Sequence, residues 1–363
     1  MVRETDVRPP LAGGSSPAIR AGVLLPPRDI LPAIAAATTA VLRAWTEERN
    51  AAGGVNGRSI ELAFTAPEGS AEARAREVRI FIEEEKPLAL VASFTDGADA
   101  ELAALANEVG IPLLATLSSS PHSSIFPSKW LRDLCGGTVE QGAALVRAVG
   151  DRLNGRKVAI VHCNAVPGAA LARRAAAAGV DALQVGVATA SAAQLREATT
   201  AAVLLAGWAP ELVLFLDQMR ELEWWPPLLI AGASLPPRAL DRARAGSDIW
   251  IALPTIDRDR QKEAVDAYLS LAQRHEIPAA HQLSQFAALT SLQLFVDALE
   301  RIGGPPDRRS LLAEIDRTEM FRGGLFPALT YGRDRHIGST GAWIVPVHRG
   351  RDADPRWVDA AAG

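Results

Sequence analysis

The chain has 363 residues, of which 48% are apolar and 22% are charged, and its formal net charge is −4. A chain of this length typically divides into two or three domains, and this composition is ordinary for a globular protein. The interspersed charges form no basic patch for nucleic acid, and no apolar run approaches the roughly 20 residues that cross a bilayer. We therefore expect a protein that does not bind nucleic acid and is not embedded in a membrane.

Short apolar segments alternate with helical segments through the first third of the chain. The predicted strands are 19–25, 60–64, 88–94 and 113–116. The predicted helices between them are 30–50, 71–85 and 98–109. Four apolar strands that alternate with helices indicate an α/β fold with a doubly wound parallel sheet.

The same alternation starts again further along the chain. The predicted helices of this second set are 139–153, 168–178, 191–199 and 210–222. Its predicted strands are 157–162, 183–187, 202–206 and 228–231. Two sets of similar size predict two lobes, each with its own sheet. The remaining residues contain predicted helices at 285–302 and 309–317 and β-like segments at 329–331 and 342–347.

A turn-rich segment, GGVNGR at residues 53–58, lies between the first predicted helix and the second predicted strand. Gly53 and Gly54 can take the left-handed backbone that ends a helix, and Asn56-Gly57 is a strong turn dipeptide. This string, after a helix that ends in Asn50, resembles the first β-α-β unit of type I periplasmic solute-binding proteins. Within that family it is similar to the leucine/isoleucine/valine-binding branch of ABC transporter receptors.

Four further stretches carry the same resemblance, which extends over about residues 19–349. They are VGIPLLATLSSSP (109–121), GRKVAIVHCNAVPG (155–168), LLAGWAPELVLFLDQMREL (204–222) and FRGGLFPALTYGRDRH (321–336). The resemblance implies two doubly wound parallel-sheet lobes, joined by a three-strand hinge, that close on a small molecule.

The resemblance also implies that each lobe is discontinuous in sequence. The expected first lobe comprises residues 19–132 and 253–328, and the expected second lobe comprises residues 133–252 and 329–350. Residues 1–18 are expected to form a flexible leader and residues 351–363 a C-terminal tail. The chain is expected to cross between the lobes near 131–135, 250–254 and 327–331.

Polar residues follow the third and fourth predicted strands, where ligands of parallel sheets bind. Thr95 and Asp96 follow one strand, and Ser118 and Ser119 follow the other. Such residues commonly cap helices, but by the resemblance they are the ones that bind a ligand carboxylate. Asp96 departs from the small residue usual in the family. Either it turns away to cap its helix, or the ligand presents a hydrogen-bond donor or a cation.

The second lobe departs further from the family pattern. Pro167 stands where the family typically has a tyrosine, and Ala233 follows the strand after which amino-acid-binding members place an acidic residue. A buried ammonium group without a counter-charge is strongly disfavoured. We therefore expect a ligand other than a standard α-amino acid, namely an amine-free, aromatic or apolar carboxylate.

Two further residues are candidates for this site. Trp208 falls where the family often has an aromatic residue in the cleft, and it is expected either to stack on the ligand or to pack in the core. Arg28, in the loop after the first strand, is expected either to pair with an acid or to remain a solvated charge.

No phosphate-binding glycine loop or nucleophile elbow is present, so we predict no catalytic activity, no cofactor and no metal. Cys135 and Cys163 match no metal spacing and are expected to be free thiols. The expected partners are a small-molecule ligand and an ABC transporter permease, and we expect a monomer or weak dimer.

The expected location is the periplasm, by resemblance to the family. Residues 1–20 contain no apolar core of the kind a signal peptide needs, so export requires a signal peptide outside this sequence. One alternative is a cytoplasmic amide-type ligand sensor of the same fold that controls a regulator. A second alternative is a flavodoxin-like enzyme.

Overall fold

The computed structural model describes residues 17–121, 128–153, 155–207, 210–232, 247–347 and 354–360. In chain order the strands are β1 (Ile19–Leu24), β2 (Ile60–Thr65), β3 (Ala89–Val91), β4 (Leu113–Thr116), β5 (Leu131–Cys135), β6 (Lys157–His162), β7 (Asp181–Gly186), β8 (Ala202–Ala206), β9 (Leu228–Ala231), β10 (Ile249–Leu253), β11 (Ile337–Ser339), β12 (Gly341–Val347) and β13 (Arg356–Asp359). The helices are α1 (Pro32–Ala51), α2 (Ala71–Glu85), α3 (Asp99–Val109), α4 (Thr138–Leu153), α5 (Ala165–Ala177), α6 (Ala192–Glu197), α7 (Glu211–Glu221), α8 (Lys262–Arg274), α9 (Gln282–Arg301) and α10 (Arg308–Ile315).

These strands form two sheets in the described part of the chain. The first sheet has six strands in the order β11-β5-β4-β3-β1-β2, and its neighbours are all parallel. The second has seven strands in the order β13-β12-β10-β9-β8-β6-β7, and only the pairs β10–β12 and β12–β13 are antiparallel. The predicted α/β fold with two mainly parallel sheets is confirmed.

The strands of the first sheet are apolar because helices cover both of its faces. The sequences ALV in β3 and LLAT in β4 are fully buried. Gly22 in β1 allows an especially close approach. A Cβ atom there would lie 2.6 Å from Leu90 Cδ2 in β3 and 2.8 Å from Phe81 Cε1 in α2. Any larger residue would push α2 away from the sheet.

The GGVNGR segment forms a tight turn between α1 and β2. Val55 and Arg58 exchange two backbone hydrogen bonds, with N–O distances of 2.8 and 3.0 Å. Asn56 and Gly57 between them have φ angles of 50° and 77°, as a type I′ turn requires. The Asn50 side chain then accepts from the Ile60 N–H at 2.8 Å and donates to the Ile60 carbonyl at 2.9 Å. The motif therefore fixes the point at which β2 begins.

Each sheet has its own apolar core. The core of the first includes residues of α8 and α9, among them Tyr268, Leu271 and Phe295. The core of the second sheet divides into two clusters. One cluster contains residues of α4 and α5, and the other contains residues of α6 and α7. Two separate cores are what a two-lobed molecule requires.

Within the described residues, the chain passes between the two sheets three times. It leaves the first sheet after β5 through Gly136–Gly137, returns after β10 to α8, and leaves again at Thr340 between β11 and β12. The segments predicted as the first two crossings are thus the strands β5 and β10. The third crossing lies at Thr340 and not at 327–331, because β11 pairs with β5 of the first sheet.

Several short elements differ from the sequence prediction. The sequence pattern does not predict α8, β11 or β13. It predicts a β-like segment at 329–331, where Leu329 makes only an isolated bridge to Phe321. β11 and β13 have three and four residues, too few for a recognisable pattern, and they are strands because β5 and β12 offer free edges. β11 belongs to the first sheet although its residues were expected in the second lobe. The lobe boundaries as a whole remain a prediction.

Candidate functional site

A cavity of about 630 Å³ lies where the carboxyl ends of strands from the two sheets face each other. From the first sheet it is lined by the segments after β3 and β4, including Asp96, Gly97, Asp99, Glu101, Ser119 and Ser120. From the second it is lined by the segments after β6 and β8, including Cys163, Asn164, Val166, Pro167, Ala206 and Gly207. Clefts of this size and position accept small organic molecules.

The turn between β3 and α3 is held by hydrogen bonds to the carboxyl group of Asp99. The Thr95 hydroxyl donates to Asp99 Oδ1 at 2.7 Å, and the Gly97 N–H donates to Asp99 Oδ2 at 3.2 Å. Thr95 itself is only 2% exposed and does not line the cavity. Its hydroxyl therefore orients Asp99 and does not face the cavity directly.

Asp96 lines the cavity. Its Oδ1 accepts a hydrogen bond from the Ser119 hydroxyl at 2.7 Å, and its backbone carbonyl accepts one from Arg74 Nη1 at 2.8 Å. Asp96 does not cap α3, because the N-cap residue is Ala98 and no side chain caps that helix. The capping role is therefore not observed for Asp96, and a role toward a ligand stays a prediction.

The loop after β4 joins the cavity to the first crossing between the sheets. The Ser118 hydroxyl accepts from the Ser120 N–H at 3.0 Å and also bonds Asp99. The Ser119 carbonyl accepts from both the N–H and the hydroxyl of Thr138, at 2.8 and 3.0 Å. Since Thr138 begins α4 of the second lobe, a displacement of this loop would act directly on the connection between the lobes.

Burial raises the pKa of the Asp99 carboxyl to about 7. The negative charges of Asp96 and Asp133 raise this pKa further, whereas the hydrogen bonds from Thr95 and Ser118 lower it. A carboxyl with this pKa is divided between its neutral and ionised forms at neutral pH. The charge of the cavity therefore changes near physiological pH.

The side of the cavity formed by the second sheet carries no charged lining residue among those described. Asn164 caps α5, because its Oδ1 accepts from the Val166 N–H at 3.0 Å. Pro167 lies in the first turn of α5, where its missing N–H costs no helical bond. Burial raises the pKa of the Cys163 thiol to about 11, and Cys163 and Cys135 are both free. This side therefore offers shape and neutral polar groups.

The structure thus brings three of the predicted site residues to one cavity, namely Asp96, Ser119 and Pro167. Thr95 and Ser118 do not line it but bond Asp99, which does.

Of the other three predicted site residues, the structure places one away from the cavity and does not describe the other two. Arg28 is exposed on the turn after β1 and is not among the residues that line the cavity. Trp208 and Ala233 lie outside the described residues, and their predicted roles stay predictions.

Two residues of this site were missed by sequence reasoning. Acidic residues are common in the first turn of a helix, so the position of Asp99 in the sequence does not distinguish it. Arg74 does give one. It lies on the buried stripe of α2 together with Val78, Phe81 and Ile82, where a charged side chain is rare.

In the part of the chain that the structure describes, no three His, Cys, Asp or Glu side chains form a group that could hold a metal ion. Among the same residues, no helix is long and apolar enough to cross a bilayer.

Two lobes with a cavity between their strand ends define a two-lobed ligand-binding protein. The sequence profile of the family described as periplasmic binding protein matches residues 18–352. The chain belongs to this family of binding proteins and is accordingly not an enzyme.

Solved structures share the fold across nearly the whole chain. A branched-chain amino acid ABC transporter protein from Thermus thermophilus with bound valine is 17% identical with a TM-score of 0.69, over 94% of this chain and 97% of its own. A fatty acid ABC transporter substrate-binding protein from Thermomonospora curvata is 16% identical with a TM-score of 0.71, over 96% and 93%. An ABC transporter substrate-binding protein from Aeropyrum pernix is 13% identical with a TM-score of 0.74, over 96% and 97%. No curated protein sequence matches the chain.

Proposed function

We propose that this protein is the solute receptor of an ABC importer and works in the periplasm. The observation that carries the proposal is the cavity of about 630 Å³ at the strand ends of both sheets, lined by residues of both lobes. Family membership supports the proposal, as do the names of the structural relatives, which are ABC transporter proteins. The lobes close on a small organic molecule, and the closed form is presented to a permease.

The charge of the described lining bears on the class of ligand. Asp96, Asp99 and Glu101 line the cavity, and no lysine or arginine does so among the described residues. A ligand carboxylate placed against these side chains would be repelled, at a cost that rises as the closing cleft excludes water. A ligand group that donates hydrogen bonds or carries a positive charge would be attracted. These observations favour a solute that presents an amine or a similar donor to the first lobe.

The sequence supports a different class, an amine-free carboxylate, through Ala233 and Pro167. The two classes agree that the ligand is not held as a standard α-amino acid, with its carboxylate on the first lobe and its ammonium on an acid of the second. They differ in the group that the ligand keeps, which is the carboxylate in one class and the amine in the other. We favour the amine-bearing class, because the structure places the acidic residues Asp96 and Asp99 in the cavity lining.

A thermal-shift screen of matched triads tests the function and separates the ligand classes. One triad is leucine, 4-methylpentanoate and isopentylamine, and a second is phenylalanine, 3-phenylpropanoate and phenethylamine. A ligand at about 100 times its dissociation constant stabilises the folded state by roughly 2.7 kcal/mol, which is readily measured. We expect the amine to give the largest shift in at least one triad.

Each other outcome of the screen has a definite meaning. A shift by the acid alone supports the amine-free class. A shift by the amino acid alone contradicts our view of the ligand but supports a receptor function. If a wider panel of small amines, acids and amino acids gives no shift at millimolar concentration, the receptor function is contradicted.

The sensor alternative differs from transport in location and partner. A cell fractionation of the native organism, with an antibody against this chain, distinguishes the two. Recovery from the periplasm supports transport. Recovery from the cytoplasm in complex with a regulator supports sensing by the same cleft.

A further inference from the structure

Arg74 is a buried cation immediately behind the candidate ligand cavity. Its side chain is 5% exposed, although it belongs to α2, whose next arginine, Arg76, is exposed. A buried guanidinium group is costly unless nearby groups compensate its charge. Burial accordingly lowers the pKa of Arg74, and the carboxyl groups of Asp99, Asp96 and Glu101 oppose that effect.

The guanidinium contacts the backbone of the β3–α3 turn, and Arg74 itself is not among the residues that line the cavity. Arg74 Nη1 donates to the Asp96 carbonyl at 2.8 Å, and a Cβ atom at Gly97 would lie 3.5 Å from the same nitrogen. Its Nε and Nη2 atoms have no hydrogen-bond partner among the described residues. The side chain therefore holds the turn by one hydrogen bond and otherwise acts through its charge.

The charged groups around Asp99 come from three elements. Asp96 lies on the same turn, Asp133 lies on β5, and Arg74 lies on α2. Two of these three are negative, and Arg74 is a positive charge that interacts with the Asp99 carboxyl group. Without Arg74, the carboxyl groups near this turn would lie close together with no positive charge beside them. Asp99 would then be protonated more readily.

We propose that Arg74 is a positioning residue of the cleft, holding the β3–α3 turn from behind and keeping the Asp99 carboxylate available to accept a hydrogen bond from the ligand. This inference rests on the proposed function, since it assumes that the solute binds at this turn. It extends that function because Arg74, which does not touch the ligand, would set the charge of the residues of the first lobe that do. A small amine or another hydrogen-bond donor is the chemistry that such a surface selects.

The test measures the titration of Asp99 in the absence of ligand. Carboxyl carbon resonances of ¹³C-labelled protein are followed by NMR from pH 4 to pH 9, and the Asp99 signal is assigned by its loss in Asp99→Asn. In Arg74→Met we expect the Asp99 midpoint to rise, because a nearby positive charge is removed. In Arg74→Lys, which retains the charge, the midpoint should stay near that of the parent protein. Arg76→Met, an exposed change on the same helix, is the matched control and should leave it unchanged.

The possible outcomes separate an electrostatic role from a merely structural one. An Asp99 midpoint in Arg74→Met equal to that in the parent protein overturns the proposal, even if the variant is less stable. If Arg74→Met does not fold, Arg74→Gln and Arg74→Lys decide: equal midpoints in the two variants overturn the proposal, and a higher one in Arg74→Gln supports it.

The titration is also independent of the ligand screen. If the screen finds no ligand, the proposed function is contradicted, but the Asp99 titration midpoints are unaffected. Unchanged midpoints alongside a successful screen contradict only the role of Arg74.

Discussion

The two sides of the cavity differ in how their residues are held and charged. On the side of the first lobe, Asp96 and Asp99 are ionisable and are fixed by hydrogen bonds from Ser119 and Thr95. On the side of the second lobe the described lining is neutral, with Pro167 as its most rigid member. Under the proposed function, the first lobe selects the ligand by charge and hydrogen bonding, and the second completes the shape of the closed cleft.

The largest expected effect comes from neutralising the first side. The pKa of Asp99 is raised in the folded protein above its usual value near 4. The protonated Asp99 therefore contributes fully to the free energy of unfolding below about pH 4, and this contribution is lost as the pH rises through 7. Asp99→Asn should remove this loss. The variant should gain roughly 2–4 kcal/mol over the parent protein between pH 4 and pH 8, at about 1.4 kcal/mol per pH unit and with allowance for water at the cavity. Urea unfolding at several pH values measures it.

The matched control for this change is Asp29→Asn on an exposed turn. It should leave the pH dependence of the unfolding free energy as it is in the parent protein. A parallel pH profile for Asp99→Asn and the parent protein would show that Asp99 is ionised normally.

The next effect concerns the connection between the two sides. A Cβ atom at Gly137 would lie 2.3 Å from both the Ser119 carbonyl oxygen and Pro121 Cδ. Gly137→Ala should therefore displace the loop or the crossing and lower the free energy of unfolding by about 1–3 kcal/mol. In Gly150→Ala, further along α4, the added methyl group meets no atom within 4 Å, and this control should be neutral or slightly stabilising. Thermal melts compare the two variants, and equal melting points would contradict the packing argument.

An effect on affinity, and not on stability, is expected when one side chain on each side is altered. For an amine identified by the screen, Asp96→Asn should weaken binding by about tenfold or more, since a hydrogen bond to a charged group contributes roughly 1.5–3 kcal/mol. Cys163→Ala, on the neutral side, should change the affinity by less than about threefold, since a thiol is only a weak hydrogen-bond partner. Calorimetric titration of both variants provides the comparison. Comparable losses would mean that the second lobe contributes as much to recognition as the first.

The smallest effect tests the neutral side alone. Burial raises the pKa of the Cys163 thiol to about 11, so little reactive thiolate is present at pH 8. Alkylation of the folded protein by iodoacetamide at pH 8 should be at least about tenfold slower than that of free cysteine, whose pKa is near 8.5. Cys163→Ala identifies the contribution of this site by mass spectrometry. Alkylation at the rate of free cysteine would mean that Cys163 is ionised more readily than its burial implies.

Features set by local sequence were predictable, and those set by distant packing were not. The turn at Asn56-Gly57 follows from two residues that tolerate positive φ angles, so its string indicated both the turn and the start of β2. The alternation of apolar strands with helices likewise predicted both sheets. The strand β11 was missed because it depends on the edge of β5, about 200 residues earlier in the chain.

The candidate site shows the same division. The sequence placed Asp96 and Ser119 after adjacent strands, and the structure brings them into hydrogen-bond contact. Thr95 was expected to face the ligand, but its hydroxyl is taken by Asp99, four residues further on. The buried stripe of α2 marks Arg74 as unusual, but its hydrogen bond to the β3–α3 turn is a tertiary contact that the stripe does not predict.

The bond from Thr138 to the Ser119 carbonyl has a consequence for hydrogen exchange. An amide at the start of a helix normally lacks an intrahelical partner and exchanges quickly with water. The Thr138 N–H is instead bonded at 2.8 Å to the loop that lines the cavity. Its protection therefore lasts only while that loop stays against the first crossing, so the exchange rate of this one amide reports how often the loop separates from the start of α4.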